Sequence, residues 1–243
     1  RYSFFRNLRA LFPEGWVKFN GMIFDFNGVL LWDSHLHEAV WSEYAEQERG
    51  KPFSAQEIEQ HLHGRVNKYI LEYVQSRELS VAEALVQGEE KERLYREKCL
   101  GWDGFKLSPG AVEFLNYLKA NNIPRTIATA SEIVNLRFFF EHLQLDSWFD
   151  FALVVHDDGS FPGKPAPDIY LRASKKLGLP PEECIVVEDA VSGIAAAHAA
   201  GIGYIIGLCP EEVRQKYEQL PGVKATITSF AQFDRKLFAM TIT

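Results

Sequence analysis

The sequence predicts an α/β fold, a doubly wound parallel sheet with an inserted all-helical domain. Three observations support this prediction: short continuous apolar runs recur along the chain, helical patterns separate them, and one long segment has helical patterns alone. Continuous apolar strands that alternate with helices are typical of a parallel sheet covered on both faces. The chain has 243 residues, 47% of them hydrophobic. A chain of this size buries enough surface to fold without disulfides or a structural metal.

The predicted strands are four apolar runs bounded by turn residues, followed by a weaker fifth run. The first run contains Asp25 near its end, and Thr129 and Ser131 close the second. Glu188 and Asp189 follow the fourth run directly. In chain order, the five runs are residues 21–26, 124–128, 151–155, 184–187 and 203–207. Their lengths and apolar content fit strands of a buried sheet.

Helical patterns lie between the predicted strands. The pattern at residues 111–121 places Val112, Leu115 and Leu118 on one face, as an amphipathic helix requires. Two further helices are predicted at residues 168–177 and 192–200, the second of which is followed by a glycine that can end it. The aromatic residues 138–140 fit a core helix better than a ligand cage.

The segment at residues 34–108 interrupts the alternation of strands and helices. It is rich in Glu, Gln, Lys and Arg, shows helical apolar spacing, and has almost no strand-like run. Its length, about 75 residues, is too great for a crossover connection. We therefore predict a helical cap domain at residues 34–108, inserted into a core domain formed by residues 1–33 and 109–243. A cationic run at residues 91–98 is interspersed with glutamates and predicts a solvated helix face.

Composition and charge exclude several classes of protein. The formal net charge of −7 argues against a nucleic-acid binder that neutralises phosphates. No stretch reaches the roughly 18 apolar residues of a membrane span. The three cysteines are far apart and fit neither a zinc site nor a disulfide framework, which favours a reducing, cytoplasmic location. Residues 1–16 predict a short amphipathic helix packed on the domain, and we expect a monomer more than an oligomer.

Polar side chains collect at the predicted carboxyl ends of the strands, where ligands bind in open α/β sheets. They come from four separate segments: Asp25 and Asn27, then Thr129 and Ser131, then Lys164, then Glu188 and Asp189. Carboxylates of this kind can hold Mg²⁺ through oxygen ligands, and one of them can attack phosphorus. A lysine and a hydroxyl can bind the transferring oxygens. This group of residues predicts phosphoryl transfer.

Four segments of the chain resemble the haloacid dehalogenase superfamily, in its subgroup of beta-phosphoglucomutase and sugar phosphatases. They read DFNGVL from Asp25, IATAS from Ile127, GKPAPDIY from Gly163 and VVEDAVSGIAAA from Val186. Their order and spacing follow the family pattern and cover the core from Met22 to about Leu208. The helical insert lies where the family carries its first type of cap domain. The resemblance implies a Rossmann-like core sheet.

The resemblance implies a role for each matching residue. Asp25 would be the nucleophile that forms an aspartyl phosphate, and Thr129 would hydrogen-bond the phosphoryl group. Lys164 would balance the charges of nucleophile and phosphate. Mg²⁺ would be bound by Glu188 and Asp189, together with Asp25 and the backbone carbonyl of Asn27. The loop amides near Gly28 would help to cradle the phosphate.

Asn27 departs from the family pattern. Phosphatases of the family carry Asp two residues after the nucleophile, where it serves as general acid and then as general base. An amide cannot transfer that proton, and general acid–base catalysis is typically worth about 10²–10⁴-fold. The sequence therefore predicts phosphate and Mg²⁺ binding with slow turnover. Either an engineered substitution or a natural departure explains Asn27 equally well at this stage.

The cap segment offers three more candidate residues for binding substrate. His37 lies twelve residues after Asp25, in a stretch that resembles the hinge of beta-phosphoglucomutase and its relatives; a histidine packed in the hinge is the alternative. Arg65 can bind a second anionic group of the substrate through two parallel hydrogen bonds of its guanidinium, or it can be an ordinary surface arginine. Asn67 aligns near the mutase's phosphate-binding arginine, which weakens the mutase interpretation.

The function predicted from the sequence is a Mg²⁺-dependent phosphatase that hydrolyses a small phosphorylated metabolite, such as a sugar phosphate, through Asp25. The expected partner is this phosphate ester, with neither nucleic acid nor membrane. One alternative is a phosphosugar mutase, which returns the phosphoryl group to a second hydroxyl. The other is a phospho-ligand binder without catalysis, which Asn27 motivates.

Overall fold

A six-stranded parallel sheet forms the centre of the fold. The computed structural model describes residues 19–238, so the helix predicted at residues 1–16 lies outside the described part. The strand order is β3-β2-β1-β4-β5-β6, with every neighbouring pair parallel. The strands are β1 Gly21–Phe24, β2 Arg125–Glu132, β3 Val155–Asp157, β4 Cys184–Glu188, β5 Tyr204–Leu208 and β6 Val223–Ile227. The order reverses beside β1, which places a topological switch point there.

Helices cover both faces of the sheet, as the apolar runs predicted. Along β1, Phe24 packs into one hydrophobic core and its neighbour Ile23 into the other, because successive side chains of a strand point to opposite faces. The helices that follow the insert are α5 Ala111–Ala120, α6 Ile133–Leu143, α7 Asp168–Leu177, α8 Val191–Ala199 and α9 Arg214–Glu218. α5 and α6 bury their apolar sides in the first core, and α7 and α8 bury theirs in the second.

One predicted strand requires correction, and one strand of the sheet was not predicted. The run at residues 151–155 was predicted as the third strand, but its first part is a 3-10 turn, Phe151–Leu153, and β3 begins only at Val155. The reason is local, since the side chain of Asp150 accepts a hydrogen bond from the Ala152 amide and stabilises the turn. The edge strand β6 was not predicted, because its partly exposed VKATI pattern lacks a continuous apolar run.

The segment between β1 and α5 is helical, as predicted. Its helices are α1 Ser34–Arg49, α2 Ala55–Glu57, α3 Asn67–Gln75 and α4 Val81–Leu100, and a π-helical turn, Ile58–Leu62, follows α2. These helices share a separate hydrophobic core that includes Trp41 and Leu71. The two connections between the sheet and the helical segment lie side by side, because the Ser108 amide donates a hydrogen bond to the Leu30 carbonyl at 2.8 Å. The boundaries assigned to the cap domain remain a prediction.

The cationic run of α4 is not the solvated face that the sequence predicted. Lys91 and Tyr95 are buried, whereas Arg93 is exposed. The Lys91 ammonium lies 4.7 Å from the centre of the Trp41 ring and 2.9 Å from Glu92. These partners, on α1 and α4, replace the water that a buried cation loses. Within the described residues, no helix is long and apolar enough to cross a membrane.

Candidate active site

The candidate site lies at the carboxyl ends of the central strands. Asp25 follows β1, Thr129 lies in β2, and Glu188 ends β4. Because β1 pairs with both β2 and β4, these strand ends meet at one edge of the sheet. Lys164 reaches the same point from the loop before α7. The sequence-predicted core of the site is therefore brought together by the sheet itself.

A buried lysine links two of the carboxylates. The ammonium of Lys164 lies 2.8 Å from Asp25 Oδ1 and 2.5 Å from Glu188 Oε1, and all three side chains are buried. Glu188 also accepts hydrogen bonds from the Tyr170 hydroxyl at 2.6 Å and from the Ala190 amide at 3.0 Å. Glu188 is thus fixed on several sides and holds Lys164 against Asp25.

Burial and charge set the ionisation of the site. The pKa of Asp25 is raised to about 7, because burial and the charge of Glu188 raise it more than the charge and hydrogen bond of Lys164 lower it. Burial, together with the charges of Glu188 and Asp25, raises the pKa of Asp189 well above its ordinary value. Burial alone would lower the pKa of Lys164, but Asp25 and Glu188 raise it. The lysine is therefore charged, and the carboxyl groups beside it repel one another, so that Asp25 and Asp189 hold their protons more tightly than ordinary carboxyl groups do.

This group of carboxylates fits a divalent cation. One oxygen from each of Asp25, Glu188 and Asp189 lies within 4.8 Å of the others, and hard oxygen ligands are the type that Mg²⁺ binds. Burial raises the pKa of Asp189 most, and the charges of Glu188 and Asp25 raise it further; a bound cation would offset those charges. Gly28 supports the approach of Asp189, because its φ is +82° and a Cβ at this position would overlap the Asp189 carboxylate.

A pocket in front of this cluster brings residues of the insert close to residues of the sheet. The sheet side includes Asp25, Asn27, Thr129, Ser131 and Asp189. The helical side includes His37, Trp41, Arg65, Asn67 and Lys91. All three binding candidates predicted in the cap segment therefore line the pocket. Their roles toward a substrate remain predictions.

The hydrogen bonds of Arg65 and Asn67 reach across to the core. The Arg65 guanidinium donates to the Lys164 carbonyl at 2.8 Å and to the Gln60 carbonyl at 3.2 Å. Asn67 Nδ2 donates to Glu132 Oε1 at 3.0 Å. Both side chains hold the pocket wall in place in this arrangement, and the Arg65 guanidinium is engaged with backbone carbonyls.

Other predicted residues are also engaged inside the protein. The Gly28 amide, which was predicted to cradle phosphate, donates to the Leu31 carbonyl at 2.7 Å. The Thr129 hydroxyl accepts a hydrogen bond from the Ser131 amide at 3.1 Å. The His37 ring stacks on Tyr95, with ring centres 3.9 Å apart, and His37 Nδ1 lies 3.0 Å from the Lys91 ammonium.

Sequence reasoning missed two buried residues beside the pocket, Asp33 and Tyr95. The Tyr95 hydroxyl donates a short hydrogen bond to Asp33. Burial alone would raise the pKa of Asp33, but His37, by hydrogen bonding and charge, and hydrogen bonds from Tyr95 and Asn27 lower it. Asp33 is therefore a buried carboxylate anion held by donors. Its position directly before α1 is that of an ordinary helix cap, so the sequence carried no signal for this role.

Known proteins resemble this chain in sequence. Residues 19–201 match a family described as haloacid dehalogenase-like hydrolase. A probable pseudouridine-5'-phosphatase of Drosophila melanogaster is 35% identical over 130 residues, which span 51% of this chain and 56% of that protein. A phosphorylated carbohydrates phosphatase of Thermotoga maritima is 30% identical over 192 residues, which span 77% of this chain and 84% of that protein.

Solved structures share the fold over most of the chain. A hydrolase of family IA, variant 3, from Entamoeba histolytica is 41% identical, with a TM-score of 0.80 over 90% of this chain and 96% of that chain. A beta-phosphoglucomutase from Clostridium difficile is 27% identical, with a TM-score of 0.73 over 90% of this chain and 94% of that chain. Both likenesses extend over the sheet and the helical insert.

Proposed function

The chain belongs to the haloacid dehalogenase-like hydrolases, and from this premise we propose that it is a Mg²⁺-dependent phosphatase of a small phosphorylated metabolite, such as a sugar phosphate. The observation that carries the proposal is the buried group of Asp25, Lys164 and Glu188, with Asp189 beside it, at the base of a pocket. The phosphatases of phosphorylated compounds among its relatives support the substrate class.

In the proposed reaction, a carboxylate oxygen of Asp25 bonds to phosphorus while the ester P–O bond breaks and the leaving oxygen keeps the electron pair. Water then attacks the aspartyl phosphate, which releases inorganic phosphate and regenerates the Asp25 carboxylate. Lys164 keeps Asp25 oriented through its 2.8 Å contact and offsets negative charge during both steps. The Thr129 hydroxyl lies in the pocket, where it can donate to a phosphoryl oxygen.

Asp25, Glu188 and Asp189, with the backbone carbonyl of Asn27, would hold the Mg²⁺ ion. When bound, the ion would reduce the repulsion between the anionic nucleophile and the anionic phosphate. Glu188 already accepts hydrogen bonds at both carboxylate oxygens. The Asp189 carboxylate is held by fewer hydrogen bonds than that of Glu188, so we expect it to adjust its position more easily to the ion. Turnover is expected to be slow, because Asn27 has no proton to exchange.

The proposal is tested by measuring phosphate release from a panel of sugar phosphates, with and without MgCl₂. We expect slow, Mg²⁺-dependent release by the unmodified chain and none by Asp25→Ala. Asp158→Ala, which removes an exposed carboxylate outside the pocket, is the matched control and should behave as the unmodified chain. Release that survives in Asp25→Ala would contradict the proposed nucleophile.

A phosphosugar mutase is the second candidate, favoured by the likeness to a beta-phosphoglucomutase. A mutase would return the phosphoryl group to a different hydroxyl of the sugar instead of to water. The same panel separates the two functions when it is followed by phosphorus NMR. Interconversion of phosphate isomers without free phosphate indicates the mutase. Tight binding of a phosphate ester with neither reaction indicates a binding protein.

A further inference from the structure

The side chain of Asn27 has all of its hydrogen-bonding groups engaged. Its Nδ2 donates to Asp33 Oδ2 at 2.6 Å and lies 3.4 Å from the Tyr95 hydroxyl. Its Oδ1 accepts from the Ser131 hydroxyl at 2.7 Å. An amide has two donor hydrogens and one acceptor oxygen, and each of them faces a partner here. Asn27 therefore fits its surroundings as an amide.

Asp33 is the carboxylate that accepts the hydrogen bond from Asn27. It is completely buried, and it accepts hydrogen bonds from the Asn27 amide, the Tyr95 hydroxyl and the Gly28 backbone amide, the last at 3.2 Å. The Nε2 atom of His37 lies 3.3 Å from the same carboxylate. Tyr95 lies on α4, so the insert also helps to hold Asp33 in place. A buried carboxylate needs such donors, since an acceptor without one is costly to bury.

A carboxylate at position 27 would change this arrangement in a specific way. An aspartate there would place a second carboxylate oxygen about where the Asn27 nitrogen now lies, at hydrogen-bond distance from Asp33. Two buried carboxylates at this distance repel each other unless they share one proton, which raises the pKa of one of them. If position 33 were an amide as well, its nitrogen would donate to the new carboxylate at position 27, and the Tyr95 hydroxyl, which now donates to the same Asp33 oxygen, would turn toward that carboxylate.

We propose that Asp33 is a positioning residue of this site and that Asn27 and Asp33 form an exchanged amide–carboxylate pair, in which an acid at position 27 is accommodated only when position 33 becomes an amide. The pairing itself follows from the hydrogen bonds. Its consequence for catalysis rests on the proposed phosphatase function. Since Asn27 is locked and cannot supply a proton, the unmodified chain should favour phosphate esters whose leaving group departs without one.

The leaving group separates catalytic from purely structural effects. In p-nitrophenyl phosphate, the phenolate leaves as a stable anion, whereas the alkoxide of glucose 6-phosphate needs a proton as it leaves. An acid at position 27 should therefore speed up the alkyl ester much more than the aryl ester. A residue with only a structural role would change both rates by the same factor.

The test compares the unmodified chain with Asn27→Asp, Asp33→Asn and the double variant, by thermal unfolding at one pH and by rates on both esters with MgCl₂. We expect each single variant to unfold at a lower temperature and the double variant to recover most of the loss. We expect the double variant to hydrolyse glucose 6-phosphate at least about tenfold faster than the unmodified chain, within the range of general acid catalysis, with a smaller gain on p-nitrophenyl phosphate.

A second buried amide–carboxylate pair gives a matched control. Asn135 Nδ2 donates to Glu92 Oε2 at 2.5 Å. The double variant Asn135→Asp with Glu92→Gln exchanges that pair in the same way. We expect this exchange to recover less stability, because the buried Lys91 ammonium loses its carboxylate partner at position 92, and we expect no gain on the alkyl ester relative to the aryl ester. An equal gain in the control would overturn the catalytic part of the proposal.

The outcomes distinguish this proposal from the proposed function. Additive losses of stability at positions 27 and 33 would overturn the pairing, as would an Asn27→Asp variant as stable and as active as the double variant. If Asn27→Asp or Asp33→Asn cannot be recovered folded, an alanine cycle at both positions measures the same coupling without an added charge. If no variant hydrolyses either ester, the phosphatase function fails, while the stability cycle still decides the pairing.

Discussion

At the scale of single residues, the site depends on a buried charge balance in which one ammonium faces two carboxylates. Lys164 contacts both Asp25 and Glu188, and all three are shielded from water. Removing one partner of a buried ion pair lowers the stability of a protein far more than replacing the whole pair by apolar residues, because the remaining charge stays buried without a partner. The lysine is therefore important for stability as well as for chemistry.

We expect Lys164→Met to lose both properties. Leaving the two carboxylates without their cation should reduce the free energy of unfolding by about 3–5 kcal/mol, and loss of a positioned charge should lower kcat by about 100-fold or more. Urea unfolding and phosphate release measure the two effects. Lys175→Met removes an exposed lysine of α7 and is the matched control. Equal unfolding curves for the two variants would contradict this account of Lys164.

Glu92 provides a pH-dependent contribution to stability. Burial alone would raise the pKa of Glu92, but Lys91, His37 and a hydrogen bond from Asn135 lower it to about 2. Because this value lies below the unfolded value of about 4.3, the stabilisation is fully present above about pH 5 and is lost as the pH falls toward 2. The stability of the unmodified chain should therefore fall over this range in part through Glu92.

We expect Glu92→Gln to be less stable than the unmodified chain at pH 7, by up to about 3 kcal/mol. The two free energies of unfolding should converge as the pH is lowered from 5 to 3, because Gln does not titrate. Urea unfolding at several pH values measures this. Glu90→Gln, an exposed position on the same helix, should run parallel to the unmodified chain. A constant gap between the Glu92→Gln and unmodified curves would contradict the assignment.

The sequence predicted the residues at the strand ends and missed those that hold them. Asp25, Lys164 and Asp189 could be found because strand ends of a parallel sheet meet at one edge. Asp33 and Tyr95 are 62 positions apart in sequence, and only the packing of α4 against the core brings them together. The charge pattern of α4 was misleading for the same reason, since buried charged residues resemble a solvated face in the sequence unless their partners are known.

At the scale of elements, continuous apolar runs were reliable signals and mixed runs were not. The central strands β1 and β4 are fully buried, so their sequences contain little but apolar residues. The edge strand β6 has exposed positions and was missed, and the FALVV run was divided by a side-chain cap at Asp150. Short-range hydrogen bonds of this kind compete with strand formation and leave the apolar pattern unchanged.

The connection between the π-helical turn and α3 forms a wall of the pocket through a close approach at Gly64. Its φ is +70°, and a Cβ there would lie 2.5 Å from Ser192 Oγ and 3.1 Å from Ala190 Cβ. The Ser192 hydroxyl donates to the neighbouring His63 carbonyl at 2.9 Å. This contact presses the loop of the insert against the N-terminal end of α8, beside Asp189.

We expect Gly64→Ala to move this loop away from the core and to raise KM about tenfold, with a smaller effect on kcat. Gly50→Ala is the matched control, because Gly50 has a similar φ of +73° with nothing within 4 Å of a Cβ. Both variants should lose about 1 kcal/mol of stability from the left-handed backbone. Steady-state kinetics on an accepted phosphate ester and urea unfolding separate the two effects. Equal KM values for both variants would contradict a role of the loop in substrate binding.

At the scale of the whole molecule, the charge of the protein and the charge of the site have the same sign. The chain has a formal net charge of −7, and the site contains three carboxylates beside one lysine. A phosphate ester would add further negative charge to this place. We therefore expect a cation to enter the site before the phosphate, since the lysine alone does not balance the carboxylates.

This excess charge should be visible in stability without any substrate. We expect Mg²⁺ to bind the folded site and not the unfolded chain, so 10 mM MgCl₂ should raise the unfolding temperature above that in EDTA at matched ionic strength. Asp189→Asn removes one of the repelling carboxylates, whose pKa is raised by burial and by its neighbours. We expect this variant to unfold at a higher temperature than the unmodified chain in EDTA, and to gain less from MgCl₂.

Asp103→Asn, at an exposed position outside the site, should leave both temperatures unchanged. A rise with MgCl₂ that is as large in Asp189→Asn as in the unmodified chain would show that the ion binds somewhere other than this cluster.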